Sequence, residues 1–128
     1  MPHSDRRPTV LVVDHDVWER TFTTNTLTSH GYAVFGASNG ATGLRLAQQH
    51  PCDAVLLNLA LPEVPGLEVI QRLKAMDQTR AIPVIGLGAS TTDQRVKSEG
   101  CIPMPLEQRQ IISELGRCLH TADSQRAV

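Results

Sequence analysis

The sequence predicts an α/β fold in which a doubly wound, five-stranded parallel sheet is covered by helices on both faces. Short apolar runs of strand length alternate along the chain with segments whose apolar residues recur at helical spacing. The strand-like runs are apolar at consecutive positions, which is typical of strands buried on both faces. The 128 residues are enough for one domain, expected over residues 9–120 between flexible tails at residues 1–8 and 121–128.

The first strand and helix are predicted from the apolar run Thr9–Val13 and the residues after it. Asp16 has a side chain suited to capping a helix, which is expected to extend to about Ser29. Threonine is common in this helix and is a weak helix former, so packing of Phe22 and Leu27 must hold the helix in place.

The next elements continue the alternation. Residues 32–35 form the second strand candidate, and Asn39 can cap a helix that continues through His50. Pro51 stops that helix, and residues 54–57 form the third strand candidate.

The middle of the chain adds a helix, a strand and a short polar segment. Leu67, Ile70 and Leu73 recur at helical spacing. Residues 82–87 form the fourth strand candidate, and residues 91–98 form a short polar helix candidate.

The sequence signal is weak for the fifth strand and clear for the final helix. Residues 100–106 leave little room for a fifth strand, and Pro103 removes a backbone donor there, so the sheet has five strands or four and a remnant. Ile111, Leu115 and Leu119 recur every fourth residue and predict a final amphipathic helix.

Composition favours a cytoplasmic protein that binds neither nucleic acid nor membranes. The net charge of −1 gives no electrostatic reason to bind nucleic acid or an anionic membrane surface. No apolar run approaches the ~20 residues that span a bilayer. The three cysteines have no CxxC spacing, which indicates reduced thiols and argues against a disulfide framework or a zinc site.

Motifs along almost the whole chain resemble the receiver domain of two-component response regulators. They are VLVVDHD (residues 10–16), LALPEVPGLEVIQRLK (residues 59–74), IPVIGLGA (residues 82–89) and Met104-Pro105. Each motif is weak alone, but together they occur in the family's order and at nearly its spacing. The resemblance implies a flavodoxin-like fold, shortened around the fourth helix and fifth strand, and a role in bacterial phosphorelay signalling.

The resemblance also implies five functional positions. In the family, two acids hold Mg²⁺ with an acceptor aspartate, a threonine or serine binds the phosphoryl oxygens, and a lysine before a proline neutralises charge. In that order, this sequence has Asp14, His15, Asn58, Gly88 and Met104, which is followed by Pro105. Four of the five positions therefore carry a different residue.

These replacements predict a receiver that has lost its phosphotransfer chemistry. The Asn58 carboxamide is a poor nucleophile and carries no charge. Asp14 beside an imidazole and an amide should bind Mg²⁺ weakly or not at all, since Mg²⁺ prefers hard oxygen ligands such as carboxylates. No cofactor, resident metal or enzymatic activity is expected, and the glycine spacing provides no loop for cradling phosphates.

The resulting expectation is a stand-alone, phosphorylation-independent receiver that acts by protein–protein interaction. Its partner would be a histidine kinase or another response regulator, and a homodimer is possible. The alternative is a switch that binds a ligand or a proton, or is otherwise modified, at the altered pocket of Asp14, His15 and Asn58.

Individual residues leave further alternatives open. Asp14 is expected to accept hydrogen bonds from loop amides. His15 either pairs with Asp14 or Asp16 or is an exposed loop residue without a role, the latter being favoured. Trp18 either anchors a partner or covers the pocket. The Met104-Pro105 peptide is expected to be cis on the family resemblance.

Overall fold

The computed structural model describes residues 7–61, 64–88 and 99–126, with side chains described to residue 120. Within these residues, no helix combines the length and apolarity needed to cross a membrane. The polar helix predicted at residues 91–98 and most of the N-terminal tail lie outside the described residues.

Five strands form a single parallel sheet in the described part of the chain. They are β1 (Thr9–Val13), β2 (Ala33–Ala37), β3 (Ala54–Asn58), β4 (Val84–Leu87) and β5 (Gly100–Ile102). Their order in the sheet is β2-β1-β3-β4-β5, so β1 and β3 are central neighbours. The predicted fold class is confirmed, and the fifth strand is present with three residues.

Strand boundaries differ from the sequence prediction where turns or pairing intervene. Tyr32 donates its backbone N–H to Leu27 O, so this residue closes the first helix and β2 begins at Ala33. Ile82 donates to Thr79 O in a turn, which delays β4 to Val84. Strand β3 is longer than predicted because it continues through Asn58, which pairs with Leu87.

Four helices lie along the described residues. They are α1 (Val17–Ser29), α2 (Gly40–Gln49), α3 (Gly66–Ala75) and α4 (Gln108–Arg126). The predicted caps are confirmed: Asp16 accepts from the backbone N–H groups of Trp18 and Glu19 at 2.9 and 3.0 Å, and Asn39 accepts from Thr42 at 2.8 Å.

The C-terminal boundary needs a correction. Helix α4 continues to Arg126, so residues 121–126, which the sequence pattern assigned to a tail, are helical. The apolar repeat that predicts this helix ends at Leu119. The following turns contain no apolar residue large enough to extend the repeat, so periodicity could not find them.

The sheet separates two hydrophobic cores. One core lies between the sheet and helices α2 and α3, and contains Leu11, Val55, Leu57, Leu44 and Ile70 among others. The other lies between the sheet and helices α1 and α4, and contains Val10, Leu56, Leu27, Ile111 and Leu115 among others. Successive residues of β1 and β3 point into opposite cores, which explains why these strands are apolar at every position.

Candidate functional site

The sequence-predicted site residues lie at the carboxyl edge of the sheet, where polar groups of parallel strands gather. Asp14 follows β1 directly, Asn58 ends the neighbouring strand β3, and Gly88 follows β4. Met104 lies two residues beyond β5. The sheet therefore brings four of the five positions to the ends of four strands.

The Asn58 side chain lies at the centre of the hydrogen-bond network in this site. Its Nδ2 donates to Asp14 Oδ1 at 3.0 Å and to Glu19 Oε2 at 3.1 Å. Its Oδ1 accepts from the backbone N–H of Ala60 at 2.8 Å. Since that backbone group can only donate, it fixes the orientation of the carboxamide, and the NH₂ group must face the two carboxylates.

Asp14 is fully buried beneath this network. Its Oδ1 also accepts from the backbone N–H of Asp16 at 3.0 Å, so the aspartate accepts a hydrogen bond from a loop amide as the sequence predicts. Arg20 donates from Nη1 to the backbone carbonyl of Asp14 at 2.6 Å, which orders the loop from the side of α1. Among the described residues, the buried Oδ2 atom of Asp14 has no hydrogen-bond partner.

Glu19 is the residue of this site that the sequence reasoning missed. It is the third residue of α1 after the Asp16 cap, a spacing typical of a capping box. In a capping box such a glutamate turns back to the cap, whereas here it reaches across to Asn58. The Asp-x-x-Glu spacing was the available signal, because it places a carboxylate on the first turn of a helix that begins at the site.

The environment of Glu19 makes its ionisation unfavourable. Burial raises the pKa of Glu19 to about 7, with further upward contributions from a hydrogen bond to Asp14 and from the negative charges of Asp14 and Asp16. The charge of His15 acts in the opposite direction. A carboxyl group that changes charge near neutral pH therefore lies beside Asn58.

The two flanking residues His15 and Trp18 are both exposed. The exposed position of His15 agrees with the favoured expectation of an exposed loop residue, and its effect on the site is the downward contribution to the pKa of Glu19. The Trp18 side chain is 82% exposed. It therefore does not cover the pocket, which leaves its surface available for contact.

Gly88 and Met104 form a second, apolar part of the same edge. Gly88 has a φ of +79°, a backbone conformation that favours glycine. A Cβ built on Gly88 would lie 3.5 Å from both Cγ and Cε of Met104, so the thioether side chain packs beside the backbone here. The Met104-Pro105 peptide is cis, as predicted.

The donor set does not fit a magnesium ion. Mg²⁺ needs several hard oxygen ligands around one point. Between Asp14 and Glu19 the structure places the NH₂ group of Asn58, which donates hydrogen bonds and cannot ligate a cation. In the described part of the chain, no three His, Cys, Asp or Glu side chains are grouped in a way that could hold a metal ion.

Comparison with known protein sequences identifies a matching family and a similar response regulator. A family model for the response regulator receiver domain matches residues 10–101. The polar-differentiation response regulator DivK of Brucella anthropi is 34% identical over 95 residues, which cover 72% of this chain and 77% of that protein.

Solved structures resemble the fold closely. The chemotaxis response regulator CheY4 of Vibrio cholerae superimposes with a TM-score of 0.84 at 24% identity, covering 88% of this chain and 99% of that one. The receiver domain of the sensor histidine kinase PA1611 of Pseudomonas aeruginosa, with a magnesium ion coordinated in its active-site cleft, gives a TM-score of 0.83 at 21% identity. That comparison covers 90% of this chain and 99% of that chain.

Proposed function

Because this chain belongs to the response regulator receiver domain family, we propose that it is a receiver of two-component signalling that binds its partners without phosphorylation at position 58. The observation that carries the proposal is the carboxamide of Asn58 at the end of β3. The proposed protein is a binding module with no enzymatic activity of its own.

The chemistry of the amide supports this proposal. A strand-end carboxylate can attack a phosphoryl donor, whereas a carboxamide is a poor nucleophile. Both hydrogens of the Asn58 NH₂ group are also directed to carboxylates, and its oxygen accepts from Ala60. Met104 stands at the family's lysine position, so the ammonium group that would neutralise the charge of a bound phosphoryl group there is replaced by a neutral thioether.

Exposed apolar side chains near the same edge support a binding role. Val17 is 55% exposed and Trp18 is 82% exposed at the start of α1, and Met104 is 43% exposed after β5. Large aromatic residues often supply most of the energy of a protein–protein contact. The proposed partner is a histidine kinase or another response regulator, which the protein would occupy in competition with a phosphorylatable receiver.

The first test examines the site itself. Amide NMR spectra are recorded while Mg²⁺ and then beryllofluoride, a mimic of the bound phosphoryl group, are added to the purified protein. We expect no saturable shifts at Asp14, Asn58 or Gly88. Saturable shifts that extend to Met104 would show that the pocket still switches, and the proposal would be wrong.

The second test examines partner binding. Purified histidine kinases and response regulators of the source organism are titrated against the immobilised protein. We expect saturable binding to at least one of them. The affinity should not change when the immobilised protein alone is treated with acetyl phosphate and Mg²⁺ and then washed before the titration. Weak, non-saturable binding to every protein in the panel would contradict the proposal.

A pocket that responds to protons is the second candidate function. It is favoured by the position of Glu19, since burial and two nearby aspartates raise its pKa to about 7. Partner affinity measured at pH 6 and pH 8 separates the two functions. A change in affinity that Glu19→Gln abolishes would support the proton-responsive function, and an unchanged affinity would exclude it.

A further inference from the structure

The Asn58 amide joins carboxylates from two different elements. Asp14 follows β1, Glu19 lies in the first turn of α1, and Asn58 ends β3. Two ionised carboxylates that contact the same side chain repel each other unless a hydrogen-bond donor or a cation lies between them. The NH₂ group supplies one hydrogen to each, at 3.0 and 3.1 Å.

We propose that Asn58 acts as a neutral substitute for a cation between Asp14 and Glu19, and that Glu19 completes a divalent cation site as soon as position 58 carries a carboxylate. The inference rests on the proposed function and extends it, because it explains how Asp14 and Glu19 are held together without a metal ion.

Three properties of the site support the bridging role. An ionised aspartate at position 58 would have no hydrogens to donate, whereas the NH₂ group of asparagine has two and can satisfy both carboxylates at once. The Asn58 side chain is 6% exposed, so water does not readily replace these hydrogen bonds. The backbone N–H of Ala60 fixes the amide orientation, which keeps the NH₂ group directed at the acids.

One further atom indicates a latent cation site. Asp14 is fully buried, yet among the described residues its Oδ2 atom has no hydrogen-bond partner. A buried carboxylate oxygen without a partner is costly unless a donor or a cation is nearby. With a carboxylate in place of the amide, this atom, Glu19 and position 58 would offer hard oxygen ligands of the kind that Mg²⁺ and Mn²⁺ prefer.

The test uses the variant Asn58→Asp and the wild-type protein. Thermal unfolding is followed in EDTA and at increasing Mg²⁺ or Mn²⁺ concentration. We expect Asn58→Asp to unfold at a lower temperature than the wild type in EDTA, because three carboxylates are then adjacent. Its midpoint should rise with cation concentration and saturate, whereas the wild-type midpoint should not respond.

A matched pair of second substitutions isolates Glu19. In the Asn58→Asp background, Glu19→Gln should weaken the apparent cation affinity at least about tenfold, as loss of a ligand is expected to do. Asp77→Asn removes an exposed carboxylate before β4, at the opposite edge of the sheet, so it should leave the affinity within about twofold of its parent. An equal effect of the two substitutions, or none from Glu19→Gln, would overturn the proposal.

A second measurement needs no substitution at position 58. In the wild-type protein, the two side-chain amide protons of Asn58 should both exchange slowly with solvent. Glu19→Ala should accelerate the exchange of one of them, while Asp77→Asn, at the opposite edge of the sheet, should not. Fast exchange of both protons in the wild type would exclude the bridge.

The outcomes are distinguishable from failure of the proposed function. Phosphoryl or beryllofluoride binding by the wild-type protein would refute the proposed function, whatever the cation response of Asn58→Asp. A wild-type protein that binds partners without phosphorylation, combined with a cation response that ignores Glu19, would refute this inference alone.

Discussion

Among single residues, Glu19 connects the stability of the protein to pH. Its pKa is raised from the ordinary value of 4.5 to about 7 in the folded protein, so the folded state binds the proton more tightly than the unfolded chain does. The stability from this group is therefore complete below pH 4.5 and is lost as pH rises through about 7.

Glu19→Gln should remove this dependence, because glutamine stays neutral and can still accept a hydrogen bond from Asn58. The free energy of unfolding of Glu19→Gln and of the wild type is measured in urea at pH 5 and at pH 8. The value for the variant minus the value for the wild type should be larger at pH 8 than at pH 5. Glu107→Gln, at an exposed position outside the site, is the control. An equal pH dependence of the wild type and Glu19→Gln would contradict the pKa shift.

Gly88 shows why a hydroxyl residue does not fit this loop as it stands. Its φ of +79° costs an ordinary L-residue roughly 1–2 kcal/mol, although the space around a Cβ is open enough. Gly88→Ala should therefore lower the free energy of unfolding by about this amount.

Gly116 provides the matched control for Gly88. It lies within helix α4, and a Cβ there would meet no other atom within 4 Å. Gly116→Ala should raise the free energy of unfolding by about 0.8–1 kcal/mol, because alanine favours the helix more than glycine does. Urea denaturation of both variants gives the two signs, and a stabilising Gly88→Ala would show that the loop does not need glycine.

At the scale of elements, helix α1 is stable in spite of its threonines. Leu27 is fully buried and Phe22 packs against the core between the sheet and helices α1 and α4, as the sequence predicts. The side-chain hydroxyls of Thr23 and Thr26 are also buried there, without a hydrogen-bond partner among the described residues. A buried hydroxyl without a partner reduces stability.

Thr26→Val should therefore stabilise the protein by roughly 1 kcal/mol, because it removes the unpaired hydroxyl and keeps the side-chain shape. Thr28→Val, at an exposed position of the same helix, should have little effect because water satisfies its hydroxyl. Thermal or urea unfolding measures both changes. A loss of stability in Thr26→Val would mean that the hydroxyl has a partner.

Strand β5 illustrates what periodicity alone could not decide. The sequence left open whether residues 100–106 form a strand or a remnant, because the segment is short and contains Pro103. Two residues of helix α4 stabilise β5. Glu114 accepts a hydrogen bond from the backbone N–H of Cys101 at 3.1 Å, and Arg117 donates one to Glu99 O at 3.0 Å. These contacts depend on how helix α4 folds back onto the strand, and apolar periodicity gives no signal for them.

For the whole molecule, alternation of apolar runs with helical repeats was enough to predict the sheet, and the family resemblance identified four site residues at the ends of its strands. Glu19 was missed because its role depends on how close the first turn of α1 lies to the end of β3, a distance of 3.1 Å between side-chain atoms. Motif spacing identifies residues at strand ends, and it does not report which side chains reach them from a helix.

Partner binding is also a property of the whole molecular surface. Trp18 is 82% exposed, so Trp18→Ala should leave the thermal unfolding midpoint nearly unchanged. If this face is the binding surface, the affinity for the partner should fall by roughly 30-fold or more, the loss typical of an aromatic hot spot.

A matched surface variant controls for nonspecific effects on binding. Arg80→Ala changes an exposed residue before β4, at the opposite edge of the sheet, and should keep the affinity. Titration calorimetry compares the two variants, and equal affinities would place the binding surface elsewhere.

The two cores on opposite faces of the sheet have a consequence for how this protein tolerates change. Leu44 and Leu115 lie in different cores and share no contacts through side chains, so Leu44→Ala and Leu115→Ala should each cost about 2–5 kcal/mol. In the double variant the two losses should add to within about 0.5 kcal/mol. Substitutions can therefore accumulate in one core without compensation in the other, and each half of the interior can evolve on its own.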